Sequence, residues 1–422
     1  MKKRKSLKAN FVFALTGNLL YTISQYLVLT LLIKNFKADE VGTYLYAVSF
    51  VLPIVIPFDM QLRNFYTTER KDGFSFHDYQ AFRLVSNALA MLVIIVSALL
   101  IRPEMFLTIF LVGVIRIIES QSDIYYATVQ RAERMDYISY SKFAKGFSAL
   151  LLVIICIYLG LDVNQILMGW CALWFAILLI FDARITLKIS GINRRVGIVA
   201  KKEVFLSLLK MCLPVLLLSF VDKFAANYPN YIVEGKLGLS ALAIFGGIVY
   251  FRSIGVQIIN PLGAIVAPRL ANYWSEGKYK IFLNLLKRTT LNAFLLGIAG
   301  IVVAMLFGKW ILPLLYTPEY GAYTDLLVLV MVYCLVTYLY VYTGTALTCM
   351  RVHWVKAPIH IIAFGVLATL MYFHSNTLND IVINMIAGET VMFLLYTVSF
   401  WVLFNKIKAN GYVPKGLFKN IV

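Results

Sequence analysis

Long apolar segments, separated by short polar ones, run through almost the whole sequence. Six of them carry no charged residue and come close to the length of about 20 residues that a helix needs to cross a bilayer: 9–33, 41–58, 84–101, 163–181, 289–308 and 326–350. Six more are shorter or contain one to three charged residues: 105–129, 146–161, 211–231, 237–268, 357–373 and 380–405. The pattern predicts an all-α polytopic membrane protein with about twelve transmembrane helices.

The longest polar segment inside the chain, 182–210, separates the first six predicted helices from the last six. We therefore expect four parts, namely an N-terminal six-helix bundle at 1–190, a cytoplasmic linker at 191–210, a C-terminal six-helix bundle at 211–405 and a cytoplasmic tail at 406–422. Two halves of six helices are typical of transporters built from repeats. An even number of helices in each half makes the repeats parallel.

The composition supports a membrane protein and excludes a soluble one. Hydrophobic residues make up 61% and charged residues 14% of the 422 residues, against about 45–50% and about 25% in soluble domains. The formal net charge is +18. A nucleic-acid-binding protein carries such a charge on a mostly polar surface, so no nucleic-acid partner is expected. The five cysteines all lie in apolar runs and are interpreted as small buried side chains.

Basic residues indicate the topology. With the N-terminus in the cytoplasm, most of the 39 Lys and Arg residues fall in cytoplasmic segments, Arg83 and Lys145 among them, as the positive-inside rule requires. The outer loops then hold only Lys34, Lys37, Arg102, Lys223, Lys236 and Lys309. We therefore expect a multi-pass protein with both termini in the cytoplasm. The outer loops are short, which argues against a membrane glycosyltransferase or polymerase, because such enzymes usually carry a sizeable outer domain.

Charged side chains inside the predicted helices are candidates for function, because each costs about 2.5–3.5 kcal/mol or more in a bilayer. The acidic ones within or at the edge of a span are Asp59, Glu119, Asp123, Asp222 and Glu389. Their basic counterparts are Arg116, Arg252 and Lys223.

The fourth predicted helix is the most charged one. Arg116 and Glu119 are three residues apart, and Glu119 and Asp123 are four apart, so all three side chains can share one helix face. One interpretation is an intrahelical ion pair that stabilises packing. The other is a proton or cation site beside a substrate path, since a half-shielded carboxylate can titrate near neutral pH.

Asp222 and Lys223 lie in the seventh predicted helix, between Pro214 and Pro229. We expect the two prolines to interrupt this helix, and discontinuous helices are typical of transporter centres and gates. The charges then face the substrate path. Alternatively, both side chains reach the outer membrane interface and are solvated there.

Three further residues are candidates from their positions. Arg252 is the only charged residue between Lys236 and Arg269, and a planar guanidinium suits pyrophosphate because it donates to two oxygens at once. A salt bridge to an intramembrane acid is the alternative. Arg63 lies either at the cytoplasmic mouth of an anionic path or in a solvated turn. Glu389 is isolated, and takes part in transport or is a hydrogen-bonded structural residue.

Motifs of catalysis are missing from the sequence. It has no Gly-rich phosphate loop, no HExxH pair and no nucleophile elbow, and its four histidines are scattered. We therefore expect no catalytic residue, no metal ligand and no cofactor. Without a phosphate loop, the chain alone is not expected to drive transport with ATP.

The sequence resembles the polysaccharide and O-antigen repeat-unit flippases of the multidrug/oligosaccharidyl-lipid/polysaccharide (MOP) exporter superfamily over essentially its whole length. The resemblance rests on Asn10, Gly17, Asn18 and Gln25; Val41, Gly42 and Tyr44; Asp59, Leu62 and Arg63; the segments 116–126 and 130–136 with Ser141; and Pro261, Pro268, Arg269, Leu270 and Ala271.

The resemblance implies two six-helix bundles around a central cavity. It implies that an undecaprenyl-pyrophosphate-linked oligosaccharide crosses the bacterial cytoplasmic membrane by alternating access, coupled to an H⁺ or Na⁺ gradient. Expected partners are this lipid-linked substrate, membrane lipids, the coupling ion, a polysaccharide polymerase and chain-length proteins. The substrate-binding residues are then Arg252, Arg116, Arg63 and Lys223. The ion-coupling residues are Asp123, Asp222, Glu119 and Glu389.

Three alternatives remain open. A multidrug exporter of the same superfamily carries cationic substrates and needs an acidic, apolar cavity, whereas three candidate cavity arginines favour an anionic lipid. A membrane enzyme of polysaccharide assembly would need a larger outer domain. A scaffold protein without transport activity would have no use for costly intramembrane charges.

Overall fold

The computed structural model describes residues 6–68, 74–190 and 202–410. Every regular element in these ranges is a helix. The first eight are α1 (Leu7–Asn35), α2 (Ala38–Asp59), α3 (Leu62–Thr68), α4 (Phe76–Ile101), α5 (Phe106–Arg131), α6 (Met135–Tyr158), α7 (Val163–Ile177) and α8 (Arg184–Ser190). The others are α9 (Lys202–Leu237), α10 (Leu239–Val249), α11 (Phe251–Ser275), α12 (Tyr279–Leu315), α13 (Thr324–Cys349), α14 (Lys356–Phe373) and α15 (Leu378–Asn410).

Twelve helical segments in the described ranges are long and apolar enough to cross a membrane, which confirms the predicted number and fold class. Large hydrophobic side chains lie exposed on their outer faces, for example Leu100, Tyr158 and Leu314. An exposed apolar surface on this scale is what a lipid-facing helix bundle presents.

The chain forms two compact units, Met1–Glu234 and Gly235–Val422. The four-part division that the sequence suggests stays a prediction, and most of its linker, as well as most of its tail, lies outside the described residues. In the first unit, α1 packs closely on α6. A Cβ atom at Gly17 would lie 2.5 Å from the Ser139 hydroxyl and 2.7 Å from its Cα atom, so only glycine permits this approach.

Several spans differ from the predictions. The third span begins at Phe76, two turns earlier than its apolar run, and therefore includes Arg83. α9 runs without a break from Lys202 to Leu237 through Pro214 and Pro229, so Lys223 lies within the helix and not in an outer loop.

The eighth span, in contrast, is broken where no proline stands. α10 ends at Val249 and α11 begins at Phe251, one residue before Arg252. In the sixth span, a π-helical segment, Leu178–Ala183, joins α7 to α8 and carries the buried Asp182. π-bulges of this kind are frequent at functional sites.

Candidate functional site

A polar cleft of about 390 Å³ opens in the first unit. It is lined by Ile56, Asp59, Gln61, Arg63, Asn64, Asp123, Ser219, Asp222 and Lys223. These residues come from the end of α2, the start of α3, the middle of α5 and the middle of α9. The structure thus brings together four of the eight predicted site residues, Arg63, Asp123, Asp222 and Lys223, and adds Asp59.

The turn between α2 and α3 shapes one wall of this cleft. Met60 and Gln61 both have left-handed backbone conformations, with φ angles of 47° and 49°. Such angles are uncommon outside glycine and cost energy. Met60 is buried against Leu62, Phe82 and other apolar side chains, and this packing holds the turn in place. Only Met60 and Gln61 separate the two helices, and residues at the end of α2 and the start of α3 line the same cleft.

Arg63 is held by residues of α5. Its Nη1 donates to Asp123 Oδ1 at 2.9 Å, and its Nε donates to Gln130 Oε1 at 2.9 Å. The guanidinium also lies 5.8 Å from the centre of the Tyr126 ring. Both charged side chains remain partly exposed. An anionic group entering the cleft therefore finds a cation that is already oriented by its partners.

Asp59 forms the second ion pair of the cleft. Arg83 Nη1 donates to Asp59 Oδ1 at 2.6 Å, and the Ser120 hydroxyl also donates to this carboxylate. Arg83 is 0% exposed, whereas Asp59 is 30% exposed and lines the cleft. A fully buried cation, which does not line the cleft, therefore compensates the negative charge of Asp59.

One local pattern in the sequence places Arg83 inside a helix, although hydropathy does not. Ser75 accepts from the Asp78 backbone, and Asp78 accepts from the Ser75 backbone, so the two residues form a capping box. A Ser followed three residues later by an acidic residue marks a helix start. It would have placed Arg83 inside the helix and not in a cytoplasmic loop.

A second buried ion pair was also missed. Lys145 donates to Asp182 Oδ2 at 2.8 Å and to Ser122 Oγ at 2.5 Å, and both charged side chains are almost fully buried. The sequence prediction assigns Lys145 to a cytoplasmic segment and Asp182 to the start of the polar segment 182–210. Tyr126 connects this pair to the cleft, because its hydroxyl accepts from Lys145 at 3.1 Å and its ring faces Arg63.

Arg116 and Glu119 form the predicted pair within α5. The distance from Arg116 Nη1 to Glu119 Oε2 is 2.7 Å, and the Tyr21 hydroxyl donates to Glu119 Oε1 at 2.8 Å. Neither residue lines the cleft of Arg63. Asp123, which can share their face, pairs with Arg63 instead.

Arg252 and Glu389 belong to the second unit. Arg252 lies 5.1 Å from the centre of the Tyr333 ring, and its buried Nε has no hydrogen-bond partner among the described residues. In that part of the chain Arg252 forms no ion pair, and its anion-binding role stays a prediction. Glu389 Oε2 accepts from the Tyr340 hydroxyl at 2.5 Å. Tyr340 stacks on Tyr396, with 5.2 Å between ring centres.

Comparisons of sequence and structure show which known proteins this chain is similar to. No protein-family model matches the sequence. The capsular polysaccharide biosynthesis protein CapF of Staphylococcus aureus is 22% identical over 325 residues, which cover 76% of this chain and 80% of that protein. An inward-facing multidrug resistance MATE family transporter of the MOP superfamily superposes with a TM-score of 0.71 at 11% identity, covering 94% of this chain and 100% of the other.

The chain has the fold of the MOP-superfamily transporters. A second solved member, from Pyrococcus furiosus, covers 94% of this chain and 95% of its own, with a TM-score of 0.63 and 14% identity. Reverse polarity of its binding pocket is reported to suggest a different function for that transporter. The resemblance stated from the sequence, to polysaccharide flippases of the MOP superfamily, is confirmed by these matches.

Proposed function

We propose that the protein flips undecaprenyl-pyrophosphate-linked oligosaccharide repeat units across the bacterial cytoplasmic membrane for the assembly of surface polysaccharide. Two comparisons support this direction. A relative is named for capsular polysaccharide biosynthesis, and the fold is that of MOP-superfamily transporters. The observation that carries the proposal is the cleft, in which Arg63 and Lys223 lie beside three carboxylates inside a membrane-spanning bundle.

Arg63 and Lys223 bind the pyrophosphate in this proposal. A guanidinium donates to two phosphate oxygens at once, and an ammonium adds a compact point charge. The cleft also contains Asp59, Asp123 and Asp222, which would repel an anion if all were uncompensated. Arg83 compensates Asp59, and Asp123 is engaged with Arg63. The substrate therefore competes with Asp123 for the Arg63 guanidinium.

This competition explains how Asp123 would couple substrate binding to an ion in the proposal. A proton or Na⁺ on the Asp123 carboxylate weakens its bond to Arg63, and the released guanidinium then binds phosphate more strongly. Asp222 faces the same cleft and provides a second carboxylate for the coupling ion. Glu119 and Glu389, each hydrogen-bonded by a tyrosine, are the further coupling candidates.

Arg252 is the cation of the second unit in this mechanism. Its guanidinium has an unpartnered Nε and a tyrosine ring beneath it, so no carboxylate has to be displaced before phosphate binds. Arg116 is the least available of the four proposed cations, because Glu119 holds it at 2.7 Å. We therefore expect Arg63 and Arg252 to dominate substrate binding.

Complementation tests the proposal in cells. A strain that lacks its own repeat-unit flippase, but keeps the enzymes that make the lipid-linked unit, should regain surface polysaccharide when it expresses this chain. The measurement is polysaccharide on the cell surface, with membrane insertion of the chain checked by immunoblot. Inserted protein without surface polysaccharide, together with export of lipophilic cations, would favour the multidrug alternative instead.

A further inference from the structure

A small internal cavity lies among α1, α2, α5 and α7 of the first unit and shares no lining residue with the cleft. Its volume is about 10 Å³. It is lined by Gln25, Tyr44, Val48, Val112, Ile115, Arg116, Trp170 and Trp174. A cavity of this size has room for one small occupant.

Three side-chain N–H groups of this lining are unsatisfied. Gln25 Nε2, Arg116 Nε and Trp170 Nε1 are buried and have no hydrogen-bond partner among the described residues. Trp170 as a whole is only 2% exposed. Buried donors without a partner are rare and costly, and three on one cavity indicate a bound acceptor.

Other N–H groups of the same lining residues do have partners. Trp174 also lines the cavity, but its Nε1 donates to the Lys145 carbonyl at 3.0 Å. Arg116 donates from Nη1 to Glu119 Oε2 at 2.7 Å, whereas its Nε has no partner among the described residues. The unsatisfied groups are donors on three different helices, and one of them belongs to a guanidinium.

We propose that this cavity binds a single monatomic anion of halide size, held by Gln25 Nε2, Arg116 Nε and Trp170 Nε1. A halide can accept hydrogen bonds from all three donors. Water has two lone pairs and two hydrogens, so it leaves one of the three donors unsatisfied and needs acceptors itself.

Thermal unfolding of the purified full chain tests this site. We expect the unfolding temperature to rise with chloride, against gluconate at constant ionic strength, and to saturate as a single site does. Trp170→Phe removes one donor together with part of the ring system and should weaken the apparent chloride affinity about tenfold, because a hydrogen bond to an ion is worth at least that factor. Trp174→Phe removes a satisfied N–H on the same lining and should keep the wild-type affinity.

A second variant and a direct measurement complete the test. Gln25→Glu replaces a donor by a negative charge and should abolish the chloride effect, whereas a water site would leave the chloride response of the two proteins the same. Crystals grown in bromide should show an anomalous peak between Trp170 and Arg116. A wild-type protein without saturable chloride dependence, equal affinities in wild type and Trp170→Phe, or bromide found only elsewhere would overturn the proposal.

Discussion

The guanidinium of Arg83 lies directly against the carboxylate of Asp59, with 2.6 Å between Nη1 and Oδ1. Only the acid reaches the cleft, because Arg83 is 0% exposed. The two residues therefore differ in what their loss would do. Without Arg83, Asp59 can still be solvated from the cleft. Without Asp59, a positive charge stays buried with Ser120 as its remaining partner on Nη1.

We expect Asp59→Asn to destabilise the protein more than Arg83→Met. Removing one partner of a buried pair costs about 3–5 kcal/mol when the remaining charge cannot reach water. The double variant Asp59→Asn, Arg83→Met should recover most of the loss. Denaturant unfolding of the purified protein in detergent, arranged as a double-mutant cycle, measures the coupling. Equal and additive losses would show that the pair has no such asymmetry.

The turn at Gln61 separates backbone preference from side-chain contacts, because Gly and Val both remove the oxygen that accepts from Asn64 at 3.3 Å. Gln61 is exposed and has a φ of 49°. Gln61→Gly should keep or raise the free energy of unfolding by up to about 1 kcal/mol, because glycine adopts left-handed angles without strain but is more flexible when unfolded. Gln61→Val should lower it by about 1–2 kcal/mol, since a β-branched residue is strained there. A Val variant as stable as the Gly variant would contradict the left-handed turn.

The contact between α1 and α6 makes Gly17 intolerant of any side chain. Gly17→Ala would put a Cβ atom 2.7 Å from the Ser139 backbone, so the helices must separate at a cost of about 1–3 kcal/mol. Gly365→Ala in α14 is the matched control, because no atom lies within 4 Å of its added Cβ. The control should gain up to about 1 kcal/mol from helix propensity. Thermal unfolding of both variants checks the difference, and similar stabilities would argue against close helix packing at Gly17.

Charge in the cleft should matter more than charge at the end of the bundle. Arg63→Gln should lower transport at least about tenfold, because it removes the cation that is oriented toward the substrate. Arg102→Gln is the control. Arg102 is also an ion-paired arginine of the first unit, donating to Glu234 Oε2 at 2.6 Å, but it does not line the cleft. Its hydrogen bond to Tyr46 raises the pKa of the guanidinium, so it stays charged.

The amount of surface polysaccharide is compared with the amount of membrane-inserted protein for both variants. Both should insert into the membrane in similar amounts, and only Arg63→Gln should fail to support surface polysaccharide. Loss of export in both variants would indicate a general requirement for charge in the first unit, and unchanged export in Arg63→Gln would remove Arg63 from the substrate site.

Arg252 gives a separate prediction for the second unit. Arg252→Ala should abolish export while the protein still folds and inserts, and Arg252→Lys should recover part of it, since a point charge replaces the planar fork. Surface polysaccharide and membrane-inserted protein are both measured. A variant Arg252→Ala that exports as well as the wild type would contradict a pyrophosphate role for Arg252.

The sequence predicts the transmembrane helices but not which charged side chains pair between them. Apolar runs predict spans reliably because the bilayer sets their length. Hydropathy, however, treats a charge as the end of a span. It therefore placed Arg83 and Lys145 in loops, although Asp59 and Asp182 on other helices satisfy them inside the bundle.

The candidate site shows the same division. Arg116 and Glu119 were correctly paired because spacing along one helix determines their distance. The partner of Asp123 is Arg63, which lies on another helix and follows a turn of two left-handed residues. No pattern within a short stretch of sequence predicts that Arg63 and Asp123 lie close together. The two prolines of the seventh span led to a different error. They predicted an interrupted helix, but α9 continues through Pro214 and Pro229.

Flipping of a lipid-linked oligosaccharide by the purified protein tests the central claim most directly. Vesicles that contain the protein and undecaprenyl-pyrophosphate-linked oligosaccharide are probed from outside with a sugar-modifying enzyme. We expect the inner-leaflet pool to become accessible faster than in protein-free vesicles, to respond to an imposed H⁺ or Na⁺ gradient, and to stay inaccessible with Arg63→Gln but not with Arg102→Gln. Rates equal to those of protein-free vesicles, with correctly folded protein present, would contradict the proposed function.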